Sequence, residues 1–182
     1  MAPKESPFAT RSFLALALAC GLVCAGSVAA SGTSTRERVA HATYDTSWTV
    51  YHGDALSTGV STALSSVNVS RRAWTSPNLS GQIYGEPLVY GSDVYVATEN
   101  DVVYALSAKT GRVIWGRHLA SAVPSTKLPC GDIAPLVGIT GTPVIDPTRS
   151  EIFVVADELV KGGPEHYLVG LSTTNGKVEL RV

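Results

Sequence analysis

The chain has 182 residues, is 45% hydrophobic and 16% charged, and carries 14 basic and 15 acidic side chains for a net charge of −1. No basic run is interleaved with aromatics, which excludes an electrostatic nucleic-acid binder. No basic amphipathic stretch marks a helix that lies on a membrane surface.

Residues 1–30 read as a secretory signal peptide. Lys4 and Arg11 give a positive start, an apolar small-residue run extends from Phe13 to Gly26, and Val28-Ala29-Ala30 offers small residues for cleavage before Ser31. The apolar run is short for a membrane span, so none is expected after cleavage. Neither Cys20 nor Cys24 follows the pattern of a lipid-anchored cysteine. The protein is expected to be secreted or extracytoplasmic, in the periplasm or at the cell surface. Cleavage removes Lys4, Arg11 and Glu5, leaving 12 basic and 14 acidic residues and a net charge of −2. It also removes two of three cysteines, so Cys130 stands alone. An odd cysteine in an exported protein is a free thiol, an intermolecular bond or half of a disulfide with a missing partner; a partner beyond this chain is the favoured expectation. Residues 31–47 are polar and small, and read as a flexible linker.

From residue 48 onward the chain repeats itself. Gly85-Glu86-Pro87-Leu88-Val89 returns as Gly141-Thr142-Pro143-Val144-Ile145, 56 residues later. Each copy is followed by a turn and a β-rich run, 94–98 and 151–156. The segment 103–115, strand-turn-strand ending in Trp115, returns in degraded form over 168–180. Gly111 then matches Gly176, and Trp115 matches Leu180. Thr110-Gly111 and Asn175-Gly176 are tight hairpin turns in which a glycine takes positive φ at little cost. The two turn glycines are 65 residues apart, so the second unit is nine residues longer, with the excess assigned to the 146–150 turn and a 158–166 loop. Four strands per unit make one propeller blade. Repeats of this kind bury their faces only by stacking. The expected fold is all-β, made of four-stranded antiparallel β-propeller blades, incomplete at about two to three blades because propellers close with about four to eight. The domain is assigned to residues 48–182, as an N-terminal portion of a longer propeller. A Trp at the end of an outer strand fills the seam between blades. Trp74, 41 residues before Trp115, suits the same position in a preceding blade.

These residues resemble the pyrroloquinoline quinone (PQQ) repeat, with its Ala-x-Asp-x-x-Thr-Gly-x-x-x-Trp pattern and upstream Gly-x-Pro. Ala105, Ser107, Thr110, Gly111 and Trp115 carry it here, over roughly Trp48 to the C-terminus. Ser107 and Ser172 stand where the repeat has Asp, and Leu180 replaces the Trp, so the second seam is expected to be less firmly anchored. Segment 48–54 also resembles the entry strand of such propellers, and segments 128–133 and 138–143 resemble a secreted PQQ-like subfamily of unassigned activity.

The resemblance implies three roles. The first is an exported propeller that binds a small molecule or an envelope or extracellular protein. The second is the N-terminal part of a PQQ-dependent dehydrogenase, whose PQQ and calcium belong to the full-length protein. The third is an envelope assembly scaffold. Calcium needs about six to eight oxygens, and no acidic cluster at such spacing is evident in the sequence, so no catalytic or metal residue is transferred. Three carboxylates are weak cofactor-binding candidates: Glu86 at the start of an inner strand, and the Asp157-Glu158 pair, read as a solvated loop. Cys130 lies on the long 119–137 crossover, a pinned structural loop or a lid over a ligand. His41, His52, His118 and His166 show no metal-ligand spacing, and His52 with Asp54 reads as packing. Asn68 and Asn78 begin sequons.

Overall fold

The computed structural model describes residues 47–61, 68–129 and 131–182. The signal-peptide reading, all of the linker but Ser47, and Cys130 lie outside the described residues. The architecture below belongs to one compact unit, Ala42–Val182.

Among the described residues there is no α-helix. Val-, Tyr- and Ile-rich runs cut by short turns pair locally into antiparallel ladders. The first sheet is β1 (Leu88–Tyr90), β2 (Asp93–Ala97), β3 (Val102–Ser107) and β4 (Val113–His118), in that spatial order. A small hairpin follows, β5 (Val123–Pro124) with β6 (Leu136–Val137), interrupted by a 3₁₀ turn at Ser125–Lys127. The second sheet is β7 (Val144–Asp146), β8 (Glu151–Val160), β9 (Gly163–Ser172) and β10 (Val178–Arg181), again ordered as in sequence. Both Gly-x-Pro preludes end at the start of an inner strand, as the repeat predicts.

The expected 158–166 loop is instead the tip of a long hairpin. β8 and β9 each run ten residues and pair from Glu151–Ser172 to Val160–Gly163. Alternation continues through the segment: Ile152, Val154, Ala156 and Glu158 are all buried. The polar residues 157–166 masked a strand whose inward positions still obey the period of two.

The two sheets match position by position. In the first, Leu88 pairs with Tyr95, Tyr95 with Ala105, Ala105 with Trp115, and Ala97 with Val103. In the second, Val144 pairs with Phe153, Phe153 with Gly170, Gly170 with Leu180, and Val155 with Leu168. Cross-strand partners share a face, so these sets are the same face of two successive blades. The face of the first sheet is buried against Ile145, Ile152, Val154, Ala156, Val169 and Leu171 of the second. On the second sheet the matching face is open: Val155 is 53% exposed, Val144 46% and Leu168 40%.

The seam closes through tryptophan on glycine. Trp115 Nε1 donates to the carbonyl of Thr173 at 3.0 Å, and its ring lies on Gly176, whose φ is +67°. A Cβ on Gly176 would sit 2.8 Å from ring carbon Cζ3. Tyr95 and Arg117 add bonds to the carbonyls of Thr173 (3.2 Å) and Gly176 (2.8 Å). Trp74, outside any strand, repeats the arrangement one unit earlier. Its Nε1 donates to the carbonyl of Ala108 at 2.7 Å, and its ring covers Gly111, at φ +70°.

Candidate functional site

Three carboxylates are buried where the β2–β3 turn meets the long β8–β9 hairpin. Asp101 is 0% exposed, Glu158 1% and Glu99 2%. The turn at 98–101 brings in Glu99 and Asp101. Thr98 accepts from Asp101 N at 3.1 Å through its carbonyl, and Asp101 takes φ +53°. Glu158 arrives because β8 continues its inward alternation beyond Ala156.

Two of the three carboxylates find partners for one oxygen each, and Asp101 finds none. Glu99 Oε2 accepts from Gly138 N at 2.7 Å and Thr140 Oγ1 at 3.0 Å, which pins the segment leaving the crossover. Glu158 Oε2 accepts from Arg181 Nη2, and that guanidinium lies 4.3 Å over the Tyr167 ring. Glu99 Oε1, Glu158 Oε1 and both oxygens of Asp101 have no hydrogen-bond partner. Gly138 lets the chain pass: a Cβ there would sit 2.6 Å from the Glu99 carbonyl oxygen and 2.7 Å from Asp101 Oδ1. Burial, then the charges of Glu158, Asp157 and Glu99, push the Asp101 carboxyl up to about 8, with Arg181 opposing.

Asp157 and Glu158, adjacent in sequence, point to opposite faces. Asp157 pairs with His166 Nδ1 across the hairpin and lines a cavity of about 330 Å³ with Leu128, Pro129, Asp132, Ile133 and Val137. Glu158 is not on a solvated loop; it lies in the seam. Glu86 accepts from Trp48 Nε1 at 3.2 Å and from His52 N at 2.8 Å, while its own N–H donates to Thr142 Oγ1 at 2.9 Å. It ties the entry segment to both blades. Asp54 accepts from Leu56 N at 2.8 Å and from the Thr58 hydroxyl, and the latter bond foremost holds its carboxyl below the usual range. Ala105 is buried beside Trp115.

Glu99 and Asp101 escape sequence reasoning because Glu-Asn-Asp has the composition of a solvated turn. The available signal is the apolar run on both sides of a two-strand turn that must pack against the next blade. Among the described residues no set of three or more His, Cys, Asp or Glu side chains is arranged to hold a metal ion.

Two four-stranded sheets, stacked through register-equivalent faces and joined by tryptophan on a turn glycine, define an all-β protein of propeller blades. Residues 26–181 match the PQQ_2 family, described as outer membrane protein assembly factor BamB, and the chain belongs to that family. Among solved structures, BamB from Moraxella catarrhalis is similar at 20% identity and a TM-score of 0.41, over 60% of this chain and 27% of that one. Quinohemoprotein alcohol dehydrogenase from Comamonas testosteroni is similar at 20% identity and a TM-score of 0.38, over 53% and 12%. The chain thus spans about a quarter of the length of the BamB structure. No curated protein matches the chain in sequence.

Proposed function

We propose that this chain is part of an exported binding and scaffold propeller of the cell envelope. The observation that carries the reading is the open face of the second sheet, Val144, Phe153, Val155, Leu168 and Leu180, which is register-equivalent to a face the first sheet buries. Continuity with an existing interface makes it a seat for a further four-stranded sheet of the same repeat. The crossover and the β8–β9 tip, with the apolar cavity walled by Asp132 and Asp157, then remain on the connecting segments to meet a protein partner. Export by the 1–30 segment and the family's description as an outer membrane assembly factor support the envelope location.

The test is quantitative recovery of envelope proteins with the full exported chain and with an Asp132→Arg variant that keeps the native fold. The reading expects one defined envelope partner at fixed stoichiometry, lost in the variant. Calcium-dependent dye reduction with added PQQ, and no specific partner, would contradict it.

A further inference from the structure

The seam between the blades holds more acid than base. Four carboxylates bear on it, Glu99 and Asp101 from the β2–β3 turn and Asp157 and Glu158 from β8. Facing them are Arg181 from β10, bonded to Glu158, and His166 from β9, bonded to Asp157. From β9, Tyr167 lies under the Arg181 guanidinium and Glu165 holds the Tyr167 hydroxyl at 2.6 Å. From β4, His118 stands opposite Val102, next to Asp101. The crossover contributes Asp132, which lines the same cavity as Asp157, and a backbone bond in which Leu119 N donates to the Asp101 carbonyl at 2.9 Å.

Three buried carboxylates with four unpartnered oxygens among them cannot all carry a charge without a large desolvation cost. What the cluster lacks is a donor. A proton on Asp101 provides one, and the orphan Oε1 atoms of Glu99 and Glu158 are acceptors of the right kind. We propose that the seam is a proton-sensitive joint, in which Asp101 is kept as a neutral carboxylic acid in the buried cluster with Glu99 and Glu158 and its ionisation loosens the contact between the two blades. Burial raises this carboxyl to about 8, so the joint is closed at neutral pH and opens in mild alkali. The sign follows from linkage. The folded state binds a proton that the unfolded chain releases near 3.8. Stability is therefore greatest below that value and is lost as pH rises through about 8. One proton corresponds to about a tenfold fall in the folding constant per pH unit within that window.

The experiment compares thermal unfolding of the full chain and of Asp101→Asn from pH 5 to 9. The amide keeps a donor and cannot ionise. The native midpoint should fall from pH 5 to about 8 and level off above it while the variant's stays flat, so that the curves separate across that window. Parallel curves would overturn the joint. Should the variant fail to fold, the carboxyl carbon of Asp101 in the ¹³C-labelled native chain is read directly: a transition near 8 supports the proposal, and one below 5 overturns it. A rise in the native midpoint on adding calcium would also overturn it, because a cation rather than a proton would then neutralise the cluster.

Discussion

Trp115 meets the 173–176 turn with two different interactions, an indole N–H to the Thr173 carbonyl and a ring face over Gly176, which has no side chain. The two can be separated. Trp115→Ala removes both and leaves a void in the seam, so unfolding should become easier by about 3–5 kcal/mol. Trp115→Phe keeps most of the ring and loses the hydrogen bond, at about 1 kcal/mol. Denaturant titration of both variants checks the ordering; equal losses would mean that the hydrogen bond, not the packing, holds the seam. From the other side, Gly176→Val should be costlier than a surface change, because it strains a φ of +67° and drives a Cβ into the Trp115 ring. Its melting temperature should fall by several degrees, and Trp115 fluorescence should shift with it.

At the level of elements, the β-meander was legible because each blade announces itself by the same tokens. Gly-x-Pro opens β1 and β7, and an Asn-Gly or Thr-Gly turn closes the hairpins at Gly111 and Gly176. Apolar alternation and turn chemistry are local, so one sequence carries them. The β8–β9 tip was not legible, since Asp157, Glu158, Lys161, Glu165 and His166 read as loop residues while their backbone stays paired. The buried carboxylates were hidden for a related reason. Burial of Glu99, Asp101 and Glu158 arises only when the second blade lies on the first, a long-range fact that no local window contains. Glu86 illustrates the converse: an inner-strand carboxylate looked open to a ligand, and it is occupied by Trp48 and His52 from the entry segment.

For the molecule as a whole, opposing titrations set the best pH. Asp101 favours the acid side, losing its contribution as pH rises from 3.8 through about 8. Asp54 and Asp146, held below their ordinary value chiefly by the Thr58 and Thr148 hydroxyls, contribute above 3.8 and lose it as pH falls further. Unfolding measured across pH should therefore show maximal stability on the mildly acidic side of neutrality, and a maximum above pH 8 would contradict the balance. The open face of the second sheet makes a separate prediction. Val155→Lys should change the stability of the isolated chain by no more than about 0.5 kcal/mol, because that side chain is 53% exposed on the open face. The scaffold reading stands on what that face meets in the envelope. A photo-crosslinking residue at position 168, in the chain exported from its native host, measures this directly. The account predicts one dominant adduct, mapped to a β-strand of a PQQ-type blade and absent when the same probe is placed at Arg112 on the exposed hairpin. Adducts spread over unrelated proteins, or identical patterns from the two positions, would contradict it.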